Sequence, residues 1–240
     1  MTKVRVLGIV GSPRKGGNTE LLVREALAGA ESVDGVETRI LVLADMHIGP
    51  CIGCYSCSAA NELCTLQFQD DMHLYYDGFL WADGLIIGSP VFHLSVPGVL
   101  KNAIDRLGMG LISRHRQEGL PWYCKAGGVL TQGVSRLGGQ EYVMQFLIAH
   151  LLLMNCLVVS PDSQIGIGVA GSLGDHLTRV PGAIAQYDPD AVRHSRVLGR
   201  RVAEVARIIS SGVAQLGGNL PPEYEKYVLR RGDTVTDSST

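Results

Sequence analysis

Hydrophobic and polar positions along this chain fall into repeating units: a short apolar block, a polar stretch bearing glycine, then a longer segment with helical spacing. The first block is Val4 to Val10, rich in β-branched residues. Residues 11–19 follow as GSPRKGGNT, and Leu21, Leu22, Ala26 and Leu27 then recur at the spacing of one helix face. Further apolar blocks at residues 37–43, 84–89, 127–131 and 156–160 read as strands. Helices are predicted at residues 19–32, from Asp70 or Asp71 to Trp81, at 98–107, at 141–154 and, with a basic face turned to solvent, at 190–211. The two aspartates read as helix-start residues, and Lys101 and Arg106 as pairing with acids in their own helix.

Five strands alternating with helices predict an α/β fold: a flavodoxin-like, doubly wound parallel sheet in the order 2-1-3-4-5, with helices on both faces. Ligands of such sheets bind beyond the carboxyl ends of the strands, where the winding reverses between strands 1 and 3. The loop 12–19 is therefore expected to meet 90–93, with 132–140 beside them. A chain of 240 residues without internal repeats is read as one domain over residues 1–215, with a Cys-rich loop at 47–69 after strand 2. Residues 216–240 form a tail with a partly disordered polar end. Residues 164–187, Gly-rich and poorly patterned, read as a lid or an oligomer contact. The apolar segment 165–173 is expected to help build a homodimer or homotetramer.

Composition narrows the classes. The net charge is -2 with no basic run, which argues against nucleic acid as a partner. The N-terminal apolar run is too short for a signal peptide and leads straight into the glycine loop. The longest apolar stretch, 147–159, is interrupted by His150 and Asn155 and is too short to span a bilayer. The expectation is a soluble cytoplasmic protein with no membrane partner.

The loop after the first strand has the makings of an anion site. A helix start offers unpaired N–H groups and the positive end of its dipole. Ser12, Asn18 and Thr19 add hydroxyl and amide donors, and Arg14 a planar cation. Such a loop suits a phosphate monoester, though it contains neither G-K-[ST] nor G-x-G-x-x-G. The plainer reading is a strand–helix turn whose glycines relieve strain and whose Asn18 or Thr19 caps the helix.

Four of the six cysteines stand at Cys51, Cys54, Cys57 and Cys64, a run of x2, x2 and x6 spacings. In a cytosolic chain such bunching suggests metal or redox chemistry rather than disulfides. Zinc knuckles use separated C-x2-C pairs, whereas three cysteines at x2 steps approach the opening of a bacterial ferredoxin run. A 4Fe–4S cluster is the preferred reading. Gly49, Gly53 and the small residues Ser56, Ser58, Ala59 and Ala60 would let backbone N–H groups approach the sulfurs. Zinc and free thiols in a packed loop are the alternatives. Cys156 reads as core, and Cys124 has no partner spacing.

GSPRKGGNT, the cysteine cluster followed by Asp70, Asp71 and Met72, ADGLIIGSPVFH (82–93), LKNAIDR (100–106) and GGQE (138–141) occur in that order. Over residues 3–160 the chain resembles the NAD(P)H-dependent FMN reductase superfamily, and within it the iron–sulfur flavoproteins. The resemblance implies a flavodoxin-like fold, bound FMN and an oligomer. It places the FMN phosphate on Ser12, Arg14, Asn18 and Thr19 and the ring system against Pro90, Val91, Phe92 and His93. It puts the third loop near Thr131, Gly133 and Gly138, and the cluster on Cys51, Cys54, Cys57 and Cys64. Phe92 stands where relatives commonly carry Tyr, so a hydroxyl near the flavin is missing.

The chemistry implied is the cofactor's. No Ser/His/Asp or paired-carboxylate arrangement is evident. His93 is the titratable residue placed closest to the flavin, although a surface-loop histidine is the simpler reading. The preferred function is an FMN-dependent oxidoreductase with a 4Fe–4S cluster, passing electrons from NAD(P)H or ferredoxin to a small-molecule acceptor. The alternatives are a cluster-free NAD(P)H-dependent FMN or quinone reductase and a non-catalytic redox sensor.

Overall fold

The computed structural model describes residues 3–60, 62–118, 125–134, 138–161, 180 and 183–216. Of the predicted lid or contact at 164–187, residues 164–179 (with the apolar part 165–173) and 181–182 lie outside the described residues, as do Cys124 and the tail from 217 onward, whereas 183–187 form a short helix instead of a patternless segment.

One parallel sheet of five strands has the order β2-β1-β3-β4-β5. The strands are β1 (Val4–Val10), β2 (Val36–Val42), β3 (Gly84–Pro90), β4 (Ala126–Gln132) and β5 (Leu157–Val158). Along the chain come α1 (Asn18–Glu31), a 3-10 turn (Leu43–Asp45), α2 (Ser56–Ala60), α3 (Met72–Trp81), α4 (Gly98–Glu118), α5 (Gln140–Leu153), α6 (Ala183–Tyr187) and α7 (Pro189–Leu216). Their order is the predicted flavodoxin-like one. None of the helices among the described residues is long and apolar enough to cross a membrane.

The strands sort their side chains by the two-residue period of an extended chain. Leu7 and Ile9 of β1, Leu85 and Ile87 of β3 and Val129 of β4 join the core under α3, α4 and α5. Val4, Val6 and Val10, with Ile86, Ala126 and Leu130, join the opposite core under α1, α6 and α7. Each buried aliphatic side chain contributes about 1.5–3 kcal/mol, against about 0–1 kcal/mol for an exposed ion pair. The two cores, not the surface charges, hold the frame.

Helix α7 exceeds its predicted length and lies against α1 on a glycine seam. A Cβ on Gly199 would sit 1.7 Å from the Ala26 carbonyl oxygen, and one on Gly29 would sit 2.0 Å from that of Arg196. Backbone meets backbone there, which only glycine permits. The basic side chains of α7 stay outward, with Arg196 bonded to Glu25 and Arg200 to Glu204.

Several boundaries differ from expectation. Helix α4 runs to Glu118 instead of ending near 107, because no proline or cap interrupts it. Strand β5 has shrunk to two residues at the sheet edge, paired to β4 only at Ala126 and Gly127.

Candidate functional site

Three loops converge at the carboxyl ends of β1, β3 and β4. The Gly11 N–H donates to the Gly88 carbonyl at 2.8 Å, which fastens the first loop to β3. The Val91 N–H donates to the Gln132 carbonyl at 2.9 Å, which fastens the β3 loop to the third. Gly139 adopts φ 103° beneath Val91 and Leu94, whose side chains leave no room for a Cβ. The expected juxtaposition of 12–19, 90–93 and the described residues 132–134 and 138–140 is present.

In the first loop Ser12, Asn18 and Thr19 are buried, while Arg14 and Lys15 are exposed. The Ser12 hydroxyl accepts from the Arg14 N–H at 3.1 Å and so curls the loop. Gly17 occupies the N-cap position of α1 and offers no side-chain cap, so neither Asn18 nor Thr19 acts as a cap. Instead the Glu20 carboxylate folds back to accept from the Gly16 N–H at 2.8 Å and is neutralised by Arg24. Lys15 pairs with Asp45 and ties this loop to the chain leaving β2.

The β3 loop makes a two-residue hairpin. Phe92 and Ser95 exchange backbone bonds of 2.8 and 3.0 Å across His93 and Leu94, both at positive φ, 46° and 64°. Positive φ at both central residues belongs to a type I′ turn, normally made by Gly or Asn. Two ordinary side chains there cost on the order of 1–3 kcal/mol each. The result holds Phe92 and Leu94 half out of the surface, 42% and 55% exposed, as an apolar platform over the rim. Pro90 is buried beneath them and His93 is exposed.

Polar atoms left without partners mark what the rim is shaped to take. Asn18 Nδ2, Thr131 Oγ1 and Gln132 Oε1 are buried and unbonded, a condition that costs about 1–3 kcal/mol per group unless a ligand meets it. Gly133 packs on the Gln140 side chain, whose Oε1 accepts from the Gly138 N–H at 2.7 Å. Open donors, an uncapped helix start and an apolar platform fit an aromatic ring system bearing a phosphate. FMN is such a ligand.

The other feature of this end is the cysteine loop. Cys51, Cys54, Cys57 and Cys64 all line one cavity, together with Arg106 and Met109 of α4. Cys51 and Cys54 are exposed, Cys57 is buried and Cys64 lies between. The Ser56 hydroxyl and N–H bond to Cys54 and lower its thiol pKa. The sulfurs share a cavity without being drawn together: among the described residues no three His, Cys, Asp or Glu side chains converge as a ready metal-binding group. Four thiols with no competing carboxylate on the cavity wall fit the donor set of an iron–sulfur cluster.

Residues that the sequence reading missed hold this loop. Arg106 is buried, and pairs with the Asp70 carboxylate instead of an acid in its own helix. Its Nη1 also donates to the Gly49 carbonyl at 3.4 Å. Asn102 Nδ2 donates to the Ile48 carbonyl at 3.0 Å. Asp70 accepts from the Gly49 N–H at 2.9 Å and from the Met72 N–H at 3.1 Å, so it starts α3 and braces the cysteine loop at once. Asp71 sits at the N-cap position without capping, and accepts from the His47 N–H at 2.7 Å. Burial works against the charge on Asp70, yet Arg106 and the two N–H donors keep its carboxyl below the ordinary range. The Tyr76 hydroxyl donates to the Arg106 carbonyl and accepts from the Cys64 N–H at 3.4 Å. One signal was available: Arg106 lies three residues after Ala103 and one before Leu107, on the apolar face of its helix.

The family model for NADPH-dependent FMN reductases matches residues 4–169. An iron–sulfur flavoprotein of Methanocaldococcus jannaschii is 37% identical over 210 residues, spanning 86% of this chain and 99% of the relative. One from Methanosarcina thermophila is 32% identical over 163 residues, spanning 68% and 81%. Among solved structures, the NAD(P)H:quinone oxidoreductase from Methanothermobacter marburgensis has a TM-score of 0.58 at 15% identity, over 83% of this chain and 98% of that one. That last likeness concerns the fold.

Proposed function

The chain belongs to the NADPH-dependent FMN reductase family and is a flavin-dependent oxidoreductase; from that premise we propose that it moves electrons from NAD(P)H or ferredoxin to a small acceptor, using FMN together with a 4Fe–4S cluster held by Cys51, Cys54, Cys57 and Cys64. The name shared by its relatives, iron–sulfur flavoprotein, supports the reading. So does the cavity common to the four thiols.

In this reading Ser12, Arg14, Asn18 and Thr19 hold the FMN phosphate. Pro90, Val91, Phe92 and His93 carry the ring, and Thr131, Gly133 and Gly138 border it. When bound, FMN takes a hydride from a nicotinamide and delivers electrons singly, as a one-electron cluster requires. The Thr131 hydroxyl and the Asn18 Nδ2, buried and unpartnered, bond the polar parts of the cofactor. His93, exposed on its hairpin, is the candidate proton donor to a reduced substrate or flavin. The whole operates as one domain over residues 1–215, in an oligomer.

Helix α4 carries the argument, because it touches both sites. Leu100, in its first turn, packs against Gly11 of the phosphate loop, where a Cβ would come within 2.4 Å of Leu100 Cδ2. Arg106, six residues on, lines the cysteine cavity. At 1.5 Å per residue the separation along the helix is about 9 Å. The test is anaerobic purification with flavin, iron and acid-labile sulfide analysis, on the parent and on Cys54→Ser. The expected parent holds FMN, iron and sulfide, and the variant keeps FMN alone. FMN without iron or sulfide in the parent, even after reconstitution, would establish the second reading, a cluster-free FMN or quinone reductase. The solvent exposure of Cys51 and Cys54 favours that second reading.

A further inference from the structure

Arg106 has more donors than its partners use. A guanidinium carries five N–H groups in a fixed fork. In Arg106 the Nη1 arm serves Asp70 and Gly49, whereas Nε and Nη2 are buried and bonded to nothing. The side chain is only 3% exposed, so water does not relieve them. Unspent donors on a buried cation are costly, and Asp70, 10% exposed, does not reach them. Arg106 shares its cavity with the four cysteines.

We propose that Arg106 is a positioning residue of the cysteine cavity, whose free guanidinium donors bond to sulfur there and whose positive charge raises the reduction potential of the bound cluster. This rests on the cluster reading given above. Reduction adds one electron and no proton, so the reduced form carries one more negative charge. A fixed cation beside the sulfurs favours that form, and hydrogen bonds to sulfur act in the same direction. Asp70 has the opposite effect, because its carboxylate offsets part of the guanidinium charge. The competing account is mechanical: Arg106 and Asp70 merely brace Gly49 and the loop.

The two accounts separate in the signs of a pair of variants. The measurement is the cluster midpoint potential, from an anaerobic titration with dithionite as one-electron donor, followed by visible absorbance and electron paramagnetic resonance. Arg106→Gln should lower the potential, with a change of about tenfold in the reduced-to-oxidised equilibrium, or about 59 mV for a one-electron couple. Asp70→Asn, which keeps an oxygen for the Met72 N–H, should raise it. Arg106→Lys, which keeps the charge, should lie closer to the parent than Arg106→Gln does. Unchanged potentials, or shifts of one sign in Arg106→Gln and Asp70→Asn, would overturn the proposal. Should Arg106→Gln fail to hold iron, Asp70→Asn decides alone: a rise supports the proposal, and a fall or no change defeats it. Parent protein without iron or sulfide is a separate failure, that of the cluster reading, and this inference falls with it.

Discussion

Asn18 Oδ1 accepts the buried N–H of Ile184 at 3.3 Å, joining the first turn of α1 to a short helix 166 positions later in the chain. The same side chain leaves Nδ2 buried and free at the rim. One residue therefore serves both the framework and the ligand site.

That dual role separates two variants of the phosphate loop. Asn18→Ala strands the Ile184 N–H and should cost about 1–3 kcal/mol of stability as well as FMN affinity. Arg14, exposed and at the loop tip, should affect FMN alone. Arg14→Ala removes a charge-assisted contact of about 1.5–3 kcal/mol. Fluorescence titration with FMN and thermal unfolding of the apoprotein check both. Equal FMN affinity in Arg14→Ala and parent would remove Arg14 from the site.

Two glycines of α7 should answer the same substitution with opposite signs. Alanine gains about 1 kcal/mol over glycine in a helix interior. At Gly212 no atom lies within 4 Å of an added Cβ, so Gly212→Ala should stabilise by about 0.5–1 kcal/mol. At Gly199 the 1.7 Å approach to the Ala26 carbonyl forces α1 and α7 apart. Overpacking of about 1–3 kcal/mol or more then outweighs propensity, and Gly199→Ala should destabilise. Urea unfolding midpoints report both.

His150 should give the protein an acid-sensitive component. Burial depresses its pKa from 6.5 to about 4, despite a weaker opposite pull from Asp105. The folded chain refuses a proton that the unfolded chain accepts below pH 6.5. Stability from this group is therefore full above about 6.5 and falls as pH drops toward 4, at no more than about 1.4 kcal/mol per pH unit. His150→Gln should flatten that slope in denaturant unfolding measured between about pH 4.5 and 7. An unchanged slope would assign the acid sensitivity to other groups.

An apolar outer face is expected to bury itself in an oligomer. Tyr142 and Leu153, eleven residues apart on α5, share one helix face and are 60% and 62% exposed, with Leu157 of the edge strand 52% exposed nearby in sequence. Sedimentation of the parent should give a dimer or tetramer. The double variant Leu153→Glu, Leu157→Glu should reduce that mass. A monomeric parent at micromolar concentration would defeat the expectation.

The sequence by itself determined the order of the five strands and the longer helices, though not the five-residue helices Ser56–Ala60 and Ala183–Tyr187, because hydrophobic period and glycine-bearing turns are local properties that a chain displays without folding. It also determined the sheet order, since alternating units leave few ways to wind, and the meeting of the loops at 12–19, 90–93 and 132–140. The cysteine spacing was equally legible. What only tertiary structure decided were the pairings over long separations. Arg106 looked like a partner for acids in its own helix, yet burial selected Asp70, 36 positions away. Asp71 looked like a cap and instead holds His47. Asn18 read as a phosphate donor or, more plainly, a cap, and its Oδ1 turns out to reach Ile184. A buried polar group takes whichever partner packing brings within about 3 Å, and which one that is depends on how distant elements dock, a fact absent from any local stretch of chain.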